Sequence, residues 1–286
     1  NQSNVALTAN YLSSAGFVSN SSITSLLSGN TATISALEIG LLSESPVGLY
    51  EGTHTVTSNE ELGGLNFDDN TLLRNFEITE HWYSQDGIGV HPEEDLSVFS
   101  AGTENWTDGD DGLVLATQYH IKQETEIASL RVMLADGTIP GGELYGAIID
   151  SSSFIEGNIW TLWESNWHFV SEADTANGYI DLIFEGGAYL DPGNVYAAVE
   201  LYSNGGENPI QILEDRTVPQ PILSSAIHFS WEGITYSNGE AFAIRMLQEN
   251  CPGFSVNIIE QTNACYGLSD GTAVALAIGA PGPYSY

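Results

Sequence analysis

Between Asp110 and Asp150 the chain alternates with a period of two, and that pattern constrains the fold more than any other feature. Ala128, Leu130, Val132 and Leu134 fall on one face, and Ser129, Arg131 and Met133 on the other. A helix would repeat its apolar positions every three to four residues. Alternation bounded by Gly and Pro instead predicts a half-buried strand. The preceding run, Leu-Val-Leu-Ala-Thr-Gln-Tyr-His-Ile, predicts a partner strand. After the Asp136-Gly-Thr-Ile-Pro-Gly-Gly turn, Tyr145, Ala147 and Ile149 alternate with Leu144, Gly146 and Ile148, which predicts a strand covered on both faces. Three strands joined by short turns open an antiparallel sheet, and no catalytic motif lies among them.

The same texture continues past Asp150. Ile180, Leu182 and Phe184 are in phase, as are Val195, Ala197, Val199 and Leu201, and then Phe242, Ile244 and Met246. Asp191-Pro192-Gly193, Asn204-Gly205 and Asn238-Gly239 mark turns, and Asn177-Gly178 predicts a hairpin. Strands at this spacing mean an all-β fold of antiparallel β-sandwich or jelly-roll modules in tandem. A chain of 286 residues allows about two domains of ordinary size. The organisation read from texture is an N-terminal β-rich module over 1–107, a sandwich over 108–249, and a change of character at 250. Within the first 50 residues, Ser-, Thr- and Leu-rich runs read as strands, with a helix through Leu26–Leu27 as the alternative.

Charge excludes several classes of partner. Four Arg and one Lys stand against 38 acids, for a net charge of −33. Such a surface repels nucleic acid and anionic membrane and attracts cations. Lys122 is the only lysine and lies beside Glu124 and Glu126, where a surface ion pair is the plain reading. The six histidines show no His-Glu-x-x-His spacing, and there is neither a Gly-x-Ser-x-Gly nor a Gly-rich loop followed by Lys. The expectation is a chain that is not an enzyme. No apolar run is long enough to span a membrane.

Two constellations bear on binding. Asp108, Asp110 and Asp111 form an acidic loop that is not an EF-hand, because the twelfth position is Tyr119. A solvated acidic turn is the plain reading, and calcium is the cofactor such a loop would take in the sharper one. Asp68-Asp69-Asn70 is a second acidic turn of the same kind. Trp160, Trp163 and Trp167, with Phe169, form an aromatic cluster. Aligned exposed indoles would stack on sugar rings, whereas buried ones would fill the sandwich core, and packing is the commoner use of large aromatics.

From Asn263 the chain runs Ala-Cys-Tyr-Gly-Leu-Ser-Asp-Gly-Thr and, after a small-residue strand, ends Gly282-Pro283-Tyr284-Ser-Tyr. This stretch resembles the opening of the gliding-adhesin (SprB-type) repeat of Bacteroidota surface proteins. The cues Phe76-Glu-Ile-Thr-Glu, Asp86-Gly-Ile-Gly-Val and Asp111-Gly-Leu-Val-Leu-Ala are similar to modules that precede such repeats in type IX-secreted proteins. The resemblance implies that 250–286 begins an Ig-like repeat continuing in a longer polypeptide. It also implies an extracellular, cell-surface, structural or adhesive role in a modular protein associated with gliding motility. The partners implied are neighbouring modules of the same chain and the secretion or surface-anchoring machinery. The alternative is a carbohydrate-binding module attached to a polysaccharide-active protein. In that oxidising compartment Cys251 and Cys265 would bridge locally, or, as the repeat implies, Cys265 would pair outside this chain.

Overall fold

The computed structural model describes residues 5–13, 18–27, 30–32, 46–58, 70–79, 81–106, 111–217, 220–248, 255–262 and 272–278. The chain is all-β, and every pairing between its described strands is antiparallel. It divides into two compact units, one of residues 1–80 and 89–93, the other of 81–88 and 94–286.

The first unit is a four-stranded sheet. Val5–Ser13 (β1), Val18–Leu26 (β2), Gly48–Ser58 (β3) and Thr71–Ile78 (β4) lie in the order β2-β1-β3-β4. Leu26 closes a strand, so the helical alternative there is not adopted.

The second unit contains the sandwich. Its strands are Trp82–Tyr83 (β5), Val98–Gly102 (β6), Leu113–Ile121 (β7), Thr125–Met133 (β8), Glu143–Asp150 (β9), Thr161–Glu164 (β10), His168–Phe169 (β11), Tyr179–Leu190 (β12), Gly193–Tyr202 (β13), Gln211–Asp215 (β14), Ser225–Phe229 (β15), Ile234–Ser237 (β16), Ala241–Phe242 (β17) and Ile244–Leu247 (β18). One sheet runs β10-β9-β13-β7-β15-β16, with β11 on β9; β12-β8-β18-β5 and β17-β14-β6 form two smaller sheets. Leu115, Leu144, Ile148, Val199 and Ile227 from the large sheet share a buried cluster with Leu130, Val132, Leu182, Ile212 and Met246 from the smaller ones. Strands β5 and β6 pair with β18 and β14, so the sandwich begins ahead of the boundary at 107 that texture suggests. Backbone pairing across more than a hundred residues leaves no mark in local composition.

The expected alternation holds for Leu130, Val132 and Leu134, which enter the core. Ala128 is buried as well, but Ile127 rather than Ala128 joins that cluster. Beside this point β12 bulges, its pairing with β8 jumping from Ile183 to Ala188. Gly186 and Gly187 turn it with φ of 82° and 77°. The left-handed φ at Gly187 is one that side-chain-bearing residues rarely adopt, so glycine is favoured there.

Asn177-Gly178 does not make a hairpin. It closes the short helix Glu172–Asn177, where Gly178 takes the left-handed C-cap conformation. Ser171 and Asp174 form a capping box at the other end, and Asp174 also bonds His168 at 2.9 Å. Local capping therefore prevails over the turn signal. Beyond the sandwich, Ser255–Thr262 (β19) pairs with Thr272–Ile278 (β20). Cys251, Cys265, Asp68, Asp69, Asp108 and Asp110 lie outside the described residues.

Candidate functional site

The solvent side of the large sheet carries side chains in rows that cross the strands. Register places Ala226, Ala116, Ala198 and Ala147 side by side on β15, β7, β13 and β9. These small residues leave room for a cover, and the helix Ser151–Ile155 (α1) supplies it. Phe154 is fully buried in one cluster with the four alanines, its ring 4.7 Å from that of Tyr196. Thr235 Oγ1 donates to the Phe154 carbonyl at 2.9 Å, tying the helix to β16.

Because the Thr235 hydroxyl proton goes to Phe154, its oxygen accepts from His228 Nδ1, 2.9 Å away. This selects the neutral Nδ1–H tautomer. Burial pushes the His228 pKa down, and the Glu200 charge opposes this only in part. A histidine depressed in the folded state contributes stability in full above its unfolded value, about 6.5, and loses it as pH falls below that. Melting temperatures taken from pH 7.5 to 5 are therefore expected to fall more for the wild type than for His228→Gln. Parallel curves would remove His228 from this role.

The next row reads His228, Val114, Glu200 and Tyr145. Glu200 ties two phenols: the Tyr202 hydroxyl donates to its Oε1 at 2.5 Å, and the Tyr145 hydroxyl donates to its Oε2. Burial first, and then the bond to Glu200, pushes both phenol pKa values up, so both remain proton donors at any ordinary pH. Trp167 lies across the pair, with ring centroids 4.8 Å from Tyr145 and 5.0 Å from Tyr202. Its segment is pinned to β9 because Ser165 N donates to the Gly146 carbonyl and Ser165 Oγ accepts from Gly146 N, each at 2.8 Å. Even so braced, Trp167 is 52 % exposed.

The three tryptophans, for which core packing is the expectation and a shared sugar-binding face the alternative, differ in their surroundings. A bulge between Thr161 and Trp163 sets Trp163 opposite Ile148, a core residue, and its indole packs against the core. Its Nε1 donates to the Tyr189 carbonyl at 3.1 Å. Trp160 is 68 % exposed, and among the described residues it stacks on no other ring. The packing expectation thus holds for Trp163, while Trp167 is a supported exposed indole.

Asp111 braces a turn. Its Oδ1 accepts from Ser203 N at 2.6 Å and Ser203 Oγ at 3.0 Å, and its Oδ2 from Gly205 N at 3.2 Å. That turn holds Asn204 at a φ of 56°. Among the described residues no three His, Cys, Asp or Glu side chains are grouped to hold a metal. Asp111→Ala is expected to lower stability by about 1–3 kcal/mol, the typical cost of orphaned donors, equally with and without calcium. A loss seen only in calcium would instead assign Asp111 to a metal.

No family model matches the chain, and no curated protein matches it. Two solved structures show a distant likeness. One is the clostridial cysteine protease Cwp84 after propeptide cleavage, at 12% identity and a TM-score of 0.38, covering 86% of this chain and 70% of that one. The other is the cysteine protease and lectin-like domains of Cwp84, a surface-layer-associated protein of Clostridium difficile, at 10% identity and a TM-score of 0.36, covering 86% and 62%.

Proposed function

We propose that this chain is a non-catalytic adhesive segment of a large modular extracellular protein, exported by the type IX route, and that its sandwich adheres by binding glycan at Trp167. The resemblance of residues 263–286 to a gliding-adhesin repeat supports the setting. The glycan reading rests on one observation: an exposed indole is held rigid by two tyrosines tied to a single carboxylate. An exposed tryptophan of this kind presents a flat apolar face at low entropic cost, which suits the apolar face of a pyranose ring. Each oxygen of Glu200 already takes a phenol proton, which suits a brace better than a general acid or base. The neighbouring modules of the chain then act as spacers that present this face.

The experiment is retention of the chain on a panel of immobilised polysaccharides, run beside Trp167→Ala. Retention by at least one polysaccharide that is lost in the variant is expected. Equal behaviour of the two proteins across the panel would contradict the reading.

A further inference from the structure

We infer that the glycan site has a second aromatic station at Phe169, with Glu143 beside it as an acceptor of sugar hydroxyls, and that it takes an uncharged chain of at least two sugar units. This rests on the glycan reading above and specifies the ligand.

Register fixes the face. On β9, Leu144 and Ile148 enter the core, so Glu143 and Tyr145 point the other way. Phe169 pairs with Glu143, and Glu143 pairs with Tyr202, so these three side chains share the face over which Trp167 lies. Alternation along the edge segment agrees. Asn166 Nδ2 donates to Glu185 of β12 at 2.7 Å and Val170 is buried in the core, while Trp167 and Phe169 are 52 % and 64 % exposed. The backbone on either side of Phe169 is held, because His168 bonds Asp174 at 2.9 Å and Val170 N donates to the Gly142 carbonyl at 2.8 Å. Two residues of extended chain set Trp167 and Phe169 roughly 7 Å apart along the backbone, so they serve neighbouring sugar units rather than one. A ring as exposed as Phe169 contributes little to folding.

Glu143 is half-buried, and among the described residues its carboxylate makes no hydrogen bond or ion pair, so its oxygens are open to sugar hydroxyls. Charge narrows the ligand further. Glu164 pairs with Ala147 on the same face and adds negative potential at Tyr145. Arg131, Arg216 and Arg245 are each tied to a carboxylate, Asp181, Glu214 and Asp86. Lys122 follows Ile121, at the end of β7 away from Leu113, the partner of Leu201. A uronate or sulfate brought here would meet Glu143, Glu164 and Glu200 with no counter-charge offered.

The test is calorimetric titration with cello- and chito-oligosaccharides of one to six residues and with oligogalacturonates, using wild type, Trp167→Ala, Phe169→Ala, Phe169→Leu and Glu143→Gln. Affinity for a neutral series is expected to rise about tenfold, near 1.4 kcal/mol, between the monosaccharide and the trisaccharide. Phe169→Ala should erase that gain, and so should Phe169→Leu, which keeps apolar bulk without a flat ring. Oligogalacturonate should bind wild type at least about tenfold more weakly than the neutral series. Glu143→Gln, which keeps an acceptor and removes the charge, should narrow that gap. If Trp167→Ala weakens binding but chain length and both Phe169 variants have no effect, or if oligogalacturonate binds as well, the inference is wrong and the Trp167 site stands. If no neutral series binds, the inference is overturned, and the polysaccharide panel then decides the Trp167 site separately. Unchanged melting temperatures of the variants exclude misfolding as the cause.

Discussion

Asp86→Ala is expected to destabilise the sandwich by about 3–5 kcal/mol, the range for removing one partner of a buried ion pair. The Asp86 side chain has no exposure, and that of Arg245 only 12%. Asp86 Oδ2 accepts from Arg245 Nε at 3.0 Å, Oδ1 accepts from a terminal guanidinium nitrogen, and Oδ1 also takes Ile88 N at 3.1 Å. Register sets Arg245 directly opposite Arg131 on β8, so without Asp86 two guanidinium groups would sit on adjacent strands with one carboxylate, Asp181 of β12 on the far side of Arg131. Domain stabilities are typically 5–15 kcal/mol, so a large share of the variant should be unfolded at modest denaturant. Urea unfolding followed by tryptophan fluorescence measures this. The double variant Asp86→Leu, Arg245→Met should lose less than Asp86→Ala, because it leaves no unpaired charge. If the double loses as much as the single, the damage is to packing and the charge argument fails.

Much of the sandwich is legible in the sequence because its core strands are half-buried and their alternation is local. Val195, Ala197, Val199 and Leu201 can be assigned to the core by counting in twos, and all four are buried there. Residues defined by register are another matter. Tyr145 and Glu200 are 55 positions apart and meet only because β9 pairs with β13. Nothing near either residue in sequence marks it. The tryptophan run does mark the site, but the bulge at Thr161/Trp163 sends one indole to the core, and no composition rule foretells a bulge. Asp111 reads as a cation ligand from its acidic neighbours, whereas its partners are the backbone and hydroxyl of a turn 92 positions away. A carboxylate that caps a distant turn and one that binds a metal look alike until the chain is folded.

Trp167→Ala carries the other large effect. Removing the indole takes away the exposed apolar face and leaves Tyr145 and Tyr202 uncovered, while their bonds to Glu200 remain. Stability should therefore change little, and binding should change much. A lost aromatic contact that also excludes water commonly costs 2 kcal/mol or more, roughly a thirtyfold loss of affinity. Trp160 is the matched control, because it is more exposed than Trp167 and stacks on no ring among the described residues. The deciding measurement is titration of a neutral oligosaccharide retained by the wild type into the wild type, Trp160→Ala and Trp167→Ala, all folded to the same melting temperature. Wild-type affinity is expected for Trp160→Ala, and at least about a tenfold loss for Trp167→Ala. Equal affinities for all three would show that the braced indole is not where the sandwich binds.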